Sequence, residues 1–193
     1  RYIVHPPQKT GGCYNTWTKC LSSRQTLKPF GVAFLMLANE IRTKYVEFFE
    51  ARGHLHLPSA SLVPVDILGE EDKTTLFSGS GMQQFKPFFT GAAVPPRGRV
   101  TTVQKCVRTG DIDSAGDLSH CTFFEMLGNW SLGEYFKKEQ IKYFWNFLVD
   151  EIGLDPNRIF VSCFEGDPKY DIPKDNESAK IWAELFKERK LSH

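Results

Sequence analysis

Two short segments of the sequence carry the residue types that nucleotide chemistry requires. Lys105–Gly110 continues an apolar run as far as an arginine, and Thr122–Trp130 is a run of aromatic and aliphatic residues around one glutamate. Two apolar runs separated by a polar loop predict two strands joined by a long hairpin. That hairpin would hold the Arg108 guanidinium beside an apolar platform. Because a guanidinium suits a phosphate oxygen and a flat apolar surface suits a purine, the pattern predicts a nucleotide site.

The composition argues against several other classes of protein. The length of 193 residues suggests one domain or part of a larger one. Because 24 Lys and Arg nearly balance 23 Asp and Glu, the chain lacks the global positive charge of a nonspecific nucleic-acid binder. Five cysteines without a paired C-x-x-C spacing argue against a zinc knuckle and a disulfide framework. Free thiols in a reducing cytoplasm are the expected state.

Membrane and export signals are weak. The longest candidate, Phe30–Ala38, is an apolar run of nine residues, which is far too short to span a bilayer. No convincing small-residue cleavage site follows it. We therefore expect a cytoplasmic protein without a membrane contact.

The first 35 residues differ from the remainder. They contain Pro6-Pro7 and Gly11-Gly12 and show no sustained period of 2 or 3.6 residues. We expect residues 1–35 to be poorly ordered or not native, with Met36 as the natural start. Residues 36–193 are predicted to form one partial domain.

Hydrophobic periodicity from Asn39 onward predicts alternating helices and strands. We expect a first helix that stops at Gly53, a short strand at 54–58, and a last helix capped by Asp175 or Asn176. Between them the patterns predict strands at Lys73–Phe77, Arg99–Val107 and Arg158–Phe164, and helices at Met82–Phe89 and Glu134–Ile152. Antiparallel hairpins interleaved with helices predict an α+β fold rather than a doubly wound parallel sheet.

The hairpin resembles the second signature motif of the class II aminoacyl-tRNA synthetases, in the form that alanyl-tRNA synthetases carry. The resemblance covers approximately Met36–Leu191. Its most specific parts are Gln104-Lys105-Cys106-Val107-Arg108 and Thr122-Phe123-Phe124-Glu125-Met126-Leu127-Gly128-Asn129-Trp130. Further matching strings are Glu40-Ile41-Arg42, Gly81-Met82-Gln83-Gln84-Phe85-Lys86 and Gly133-Glu134-Tyr135-Phe136-Lys137.

The resemblance implies an antiparallel sheet flanked by helices and an alanine–tRNA ligase activity. Such an enzyme joins alanine to the α-phosphate of ATP and passes the acyl group to tRNA(Ala). ATP, alanine and tRNA(Ala) are the implied partners and Mg²⁺ the implied metal, while zinc belongs to an editing domain outside these residues. We expect the chain to stop before the third motif, as a piece that is monomeric or prone to aggregation and inactive alone.

Roles for particular residues also follow from the resemblance. Arg108 is expected to contact the α-phosphate as the catalytic residue, and Met126 and Phe124 are expected to pack on the nucleotide from one face of the strand. Glu125 is expected to bind the adenine amino group or a metal-bound water, or else to form a structural salt bridge. Phe123 faces the other way and is expected to be buried in the core.

The sequence departs from the family pattern just before Thr122. Most members have a histidine there that contacts ATP, and this chain has Cys121 after His120. A thiol is a poor hydrogen-bond donor. Either His120 takes over through a shifted loop, or this lineage does without the contact.

The loop at 109–119 is a second departure, because it is shorter than the common version and carries Asp111, Asp113 and Asp117. In the family this loop lies near the tRNA acceptor end. Carboxylates repel phosphate, so the acidic loop weakens the expectation of tRNA contact there.

No residue set has the spacing of a metal site. His54 and His56 lie two residues apart but lack further ligands, and we expect them to be structural.

Two functions remain beside the ligase. One is a synthetase-like paralogue that adenylates an amino acid for an acceptor other than tRNA, which the acidic loop would suit. The other is a non-catalytic remnant that keeps the fold. The presence or absence of downstream motifs would separate the three.

Overall fold

The computed structural model describes residues 36–117 and 121–189. The chain divides into two compact units. We call Leu37–Phe136 the sheet unit and the described residues from Lys137 onward the helical unit. The predicted extension at 1–35 and His120 lie outside the described residues. No helix in the described ranges combines the length and the apolar character that crossing a membrane requires.

The predicted hairpin forms the centre of the sheet unit. Strands β2 (Arg99–Val107) and β3 (Phe123–Ser131) pair antiparallel, with Val107 opposite Phe123 and Arg99 opposite Ser131. The sheet has three strands in the order β1–β2–β3, which agrees with the α+β class. Strand β1 (Leu55–His56) pairs with β2 in parallel, so the sheet is not wholly antiparallel. A parallel neighbour is possible because a long crossover connection separates the two strands.

Helix α1 (Ala38–Glu50) confirms the first predicted helix. It buries Tyr45, Phe48 and Phe49, which recur at helical spacing on one face. Gly53 ends the turn that follows, at a φ of 81° that favours glycine. The predicted stop signal is therefore confirmed.

The short helix predicted at Met82–Phe89 is present in two pieces. A 3₁₀ turn spans Gln83–Phe85 and runs into helix α2 (Lys86–Thr90). Gly91 closes it at a φ of 76°. Phe85 is fully buried against the ring of Trp130, with centroids 5.0 Å apart, and this contact anchors the turn beneath the sheet.

Two predicted strands are wrong. Lys73–Phe77 forms turns, because Asp72 accepts hydrogen bonds from the backbone and hydroxyl of Thr74 and bends the chain. Arg158–Phe164 pairs with no strand within residues 36–117 and 121–189 either, and Ile159 is the one residue of this segment that is buried. Both segments have β-rich composition, but composition does not supply a neighbouring strand edge.

The helical unit has an aromatic core. Helix α3 (Lys137–Asn146) continues into a π-helical turn at Phe147–Glu151, so the predicted helix is confirmed with a later start. Helix α4 (Asn176–Glu188) begins at Asp175, whose carboxylate accepts from the Ser178 N–H at 3.0 Å. The core consists of Ile141, Trp145, Ile159, Trp182, Leu185 and Phe186.

Candidate functional site

Arg108 directly follows β2, where its own N–H still donates to the Thr122 carbonyl at 2.8 Å. Its Nε donates to the Gly79 carbonyl at 3.2 Å, and its Cζ lies 5.1 Å from the centre of the Phe124 ring. The side chain is exposed to solvent. Since the Gly79 contact uses Nε, it does not consume the Nη1 and Nη2 donors that can bind phosphate in a bidentate manner.

A surface cleft of about 390 Å³ opens beside Arg108. This volume lies in the range of small-molecule sites. One part of its lining comes from the end of β2 and the start of the loop that follows it, and the other comes from the turn-rich segment before the 3₁₀ turn at Gln83–Phe85. The lining residues are Thr75, Leu76, Phe77, Gly79, Val107, Arg108, Thr109 and Gly110.

The predicted apolar platform is assembled on one face of β3. Phe124 lies opposite Cys106 and Met126 opposite Gln104, so both side chains share the face that Arg108 occupies. Both are partly exposed. The Met126 sulfur also accepts from the Gly81 N–H at 3.3 Å, which holds the methionine in place. The structure therefore brings Arg108, Phe124 and Met126 together.

Glu125 points to the opposite face of β3 and is not part of this cluster. It forms an ion pair with Arg42 of α1, with Nη2 and Nε lying 2.8 and 2.9 Å from Oε2. Of the two roles predicted for Glu125, the arrangement matches the structural salt bridge. An exposed pair of this kind contributes about 0–1 kcal/mol, so it does not prevent Glu125 from taking another partner.

The prediction that Phe123 is buried is wrong, since its side chain is 64% exposed. It stands on the same face as Glu125, at the end of β3 where Val107 is its neighbour. Helix α1 covers the other end of this face, where Tyr45 donates to Asn129 at 3.1 Å. The strand alternation was correct, but none of the described elements packs over Phe123, the first residue of β3.

Cys121 is exposed and is not in a disulfide, so its side chain faces solvent at the entrance to β3. The predicted acidic loop begins with a 3₁₀ helix at Thr109–Ser114, which carries the backbone of Asp111. Asp113 and Asp117 are exposed. These residues lie near Arg108 in sequence, but of the part of the loop that the structure describes, Thr109 and Gly110 are the residues that line the cleft.

Burial controls the chemistry of two groups near the hairpin. It raises the pKa of the Cys106 thiol, an effect that the Arg108 charge opposes, so this thiol stays neutral and serves as core. Burial also lowers the pKa of His54, whose Nδ1 donates to the Phe49 carbonyl at 3.0 Å. The tautomer follows, because a carbonyl only accepts, and Nε2 then accepts from the Tyr135 hydroxyl at 2.8 Å. His54 is structural, as predicted.

A polar cluster that sequence reasoning missed supports the cleft. Gln83 is 8% exposed and reaches both Asp72 and the Gly79 backbone, and Lys86 forms an ion pair with Asp72. The hydrogen bonds from Lys86 and Thr74 hold the pKa of Asp72 well below its usual range. The sequence feature that could have revealed this cluster is the polar pair Gln83-Gln84 between apolar Met82 and Phe85. Such a pair predicts polar side chains that are buried and hydrogen-bonded.

In the ranges 36–117 and 121–189, no group of three or more His, Cys, Asp or Glu residues could hold a metal ion.

The sequence matches known proteins over most of its length. The family model for tRNA synthetases class II (A) matches residues 40–192. An alanine–tRNA ligase of Treponema denticola is 50% identical over 149 residues, which are 76% of this chain and 24% of the relative. The ligase of Rubrobacter xylanophilus is 47% identical over 150 residues, covering 78% and 16%. The ligase of Borreliella burgdorferi is 47% identical over 152 residues, covering 78% and 24%.

The chain thus spans about a quarter or less of the length of these curated relatives. The match includes the complete β2–β3 hairpin, most of α1 and the 3₁₀ turn at Gln83–Phe85. The chain belongs to the family of class II (A) tRNA synthetases.

Proposed function

We propose that this chain supplies the ATP-binding hairpin of an alanine–tRNA ligase. In the full-length gene product it would take part in the activation of alanine to alanyl-adenylate and in the transfer of alanine to tRNA(Ala). The observation that carries the proposal is the position of Arg108, whose guanidinium lies over Phe124 at the edge of a cleft of about 390 Å³. The relatives named alanine–tRNA ligase supply the choice of amino acid. A role in protein synthesis places the activity in the cytoplasm.

Arg108 would stabilise charge at the α-phosphate during adenylate formation. In-line displacement at phosphorus depends mainly on positioning and on neutralising charge. The Gly79 carbonyl and the Phe124 ring restrain the guanidinium from two sides, so less conformational freedom is lost when a phosphate binds. Phe124 and Met126 would contact the adenine, and the exposed Cys121 would lie at the edge of the nucleotide.

Magnesium would enter bound to ATP and would neutralise the phosphate charge. Glu125 would not bind the adenine amino group or a magnesium water beside Arg108, because it points to the opposite face of β3 and forms its ion pair with Arg42 there.

A second candidate function is supported by the loop after Arg108. Asp113 and Asp117 are exposed there, beside Asp111 in the sequence, and carboxylates do not favour a tRNA acceptor end. A paralogue that adenylates an amino acid for another acceptor would tolerate this loop. Both candidates form the adenylate, but only the ligase charges tRNA(Ala).

Alanine-dependent exchange of pyrophosphate into ATP, measured on the full-length gene product, tests the first step. Arg108→Ala is expected to slow exchange by about 30- to 10³-fold, or roughly 2–4 kcal/mol, the scale of one lost transition-state contact. Arg108→Lys should recover only part of the rate, because lysine lacks the planar fork. Arg158→Ala, which removes an exposed arginine of the helical unit, is the matched control.

Exchange at the wild-type rate in Arg108→Ala would remove Arg108 from the mechanism. Exchange that depends on alanine without charging of tRNA(Ala) would favour the paralogue. The absence of exchange with any amino acid would reject both adenylating functions.

A further inference from the structure

Gln83 is a buried polar residue whose side chain uses both ends of its amide. Its Oε1 accepts from the Gly79 N–H at 2.9 Å. Its Nε2 donates to Asp72 Oδ2 at 3.2 Å and to the Thr75 hydroxyl. Gln83 is only 8% exposed, so its amide has little access to water. These protein contacts therefore supply the hydrogen bonds that its polar atoms need.

The Gly79 residue that Gln83 holds is the one that restrains Arg108. Gly79 binds Gln83 through its N–H and Arg108 through its carbonyl, so one residue links the two side chains. The neighbouring Ser78 carbonyl accepts from the Val107 N–H at 3.0 Å, which ties the same turn to the end of β2. A displaced Gly79 would therefore move the acceptor that fixes the arginine.

Asp72 and Thr75, the other side-chain partners of Gln83, hold its amide nitrogen in place. Asp72 is held by Lys86 in an ion pair, and Lys86 also donates to the Thr74 hydroxyl at 3.0 Å. Thr75 is itself part of the cleft lining. A hydrogen-bonded path thus leads from the Asp72–Lys86 pair through Gln83 and Gly79 to Arg108.

We propose that Gln83 is a positioning residue for Arg108, acting through the Gly79 peptide groups. The inference rests on the proposed function, because it concerns the arginine of adenylate formation. Gln83 does not line the cleft, and its side chain is hydrogen-bonded to Gly79, Asp72 and Thr75 rather than to Arg108. Its effect on catalysis must therefore pass through the Gly79 carbonyl, and it must disappear when Arg108 is absent.

The test is a double-mutant cycle on the full-length gene product. Gln83→Met keeps the length and volume of the side chain but removes both ends of the amide. Because small misplacements of a catalytic group can cost up to about 10²-fold, we expect Gln83→Met to lower kcat for exchange by about 10- to 100-fold, with little change in the KM for alanine. In the Arg108→Ala background the same substitution should add less than about twofold, since coupled residues are not additive.

Gln84→Met is the matched control. Gln84 is 6% exposed and adjacent in sequence, but its amide donates to Gln104 at 3.0 Å rather than binding Gly79. Its substitution is expected to lower the melting temperature and to combine additively with Arg108→Ala. If Gln83→Met also combines additively with Arg108→Ala, Gln83 acts through stability alone and the proposal is overturned.

A second check moves the carboxylate from position 72 to position 83 and compares the activity of the single and double variants. Gln83→Glu keeps an acceptor for the Gly79 N–H but places a carboxylate beside Asp72, so it should lose activity. Adding Asp72→Asn removes that repulsion and leaves Lys86 a carboxylate partner, and most of the lost kcat should return. Failure of the double variant to recover, at wild-type melting temperature, would also overturn the proposal.

Failure of the proposed function gives a different result. If the wild type shows no alanine-dependent exchange, the same cycle is measured as binding of Mg·ATP. If Gln83→Met weakens ATP binding when Arg108 is present but not in the Arg108→Ala background, the positioning role is supported even though the ligase function is not. Equal ATP binding by the wild type and Gln83→Met would reject it.

Discussion

The sheet unit and the helical unit bury very different groups. The core of the helical unit is apolar and aromatic, and Trp145 packs edge-on against Trp182 and Phe186 at 6.1 and 5.0 Å. The sheet unit instead buries many polar side chains beside its aromatic residues. These are His54, Ser78, Gln83, Gln84, Thr101, Thr102 and Gln104. Within the described part of the helical unit, the buried polar residue is Ser178, which serves the cap of α4.

This difference distinguishes contacts that stabilise the fold from contacts that fix the position of particular atoms. Apolar packing is non-directional and stabilises a fold without fixing any one atom. Buried amides and hydroxyls have directional partners, and losing one leaves a group without water or protein to bind. In the sheet unit these directional contacts lie around the cleft and the hairpin, where the position of Arg108 matters. Four substitutions, ordered from the largest expected effect, test this contrast.

Trp145→Ala should be the most destabilising change. It empties the centre of the apolar core of the helical unit and is expected to lower the free energy of unfolding by about 3–5 kcal/mol, the scale for a buried aromatic residue. Urea denaturation of the full-length gene product followed by circular dichroism measures it. Trp145→Phe, which retains one ring, should cost clearly less. Equal losses in both variants would contradict the packing argument.

Gln104→Leu should have the next largest effect, although leucine is similar in size to glutamine. The Gln104 amide accepts from the Ala60 N–H at 2.8 Å and donates to the Ala60 carbonyl at 3.1 Å. Leaving these groups unsatisfied is expected to cost about 1–3 kcal/mol. The control is Thr102→Val, since the Thr102 hydroxyl makes only a 3.5 Å contact. A similar cost for the two variants in urea denaturation would show that the buried amide has no special role.

His54 should make the stability of the sheet unit depend on pH. Burial lowers the pKa of His54 in the folded state, so the unfolded chain binds the proton more readily. Stability is therefore expected to be full above about pH 6.5, the ordinary histidine pKa, and to fall as the pH drops from there toward the lower folded pKa. Denaturant unfolding at several pH values measures this slope.

His54→Gln should remove that part of the slope, while His56→Gln, at an exposed position, should retain it. An unchanged slope in His54→Gln would exclude the buried imidazole as its cause.

Cys121→His should have the smallest effect. The side chain is exposed, so a larger ring fits without repacking, and surface substitutions usually change stability by within about 0.5 kcal/mol. Exchange activity is expected to be unchanged or slightly higher, because imidazole is a better hydrogen-bond donor than a thiol. A large fall in melting temperature would instead mark position 121 as packed.

Local patterns predicted much of the fold correctly. The β2–β3 hairpin, α1 with its glycine stop, and the Asp175 cap follow from periodicity and capping chemistry within a few neighbouring residues. The two false strands show the limit of that reasoning. Lys73–Phe77 and Arg158–Phe164 have strand-like composition, but neither has a partner strand in the described part of the chain, and a partner is a property of the whole fold.

The sequence by itself determined which residue types share one face of the β2–β3 hairpin. Alternation along β3 puts Phe124 and Met126 on one side, and the arginine after β2 belongs to that side because side chains alternate with a period of two. Tertiary structure decided the partners. Glu125 meets Arg42 from 83 residues away, and Gln83 binds Asp72 and Gly79 from two different directions. Such contacts depend on how distant segments close on each other, which no short pattern in the chain specifies.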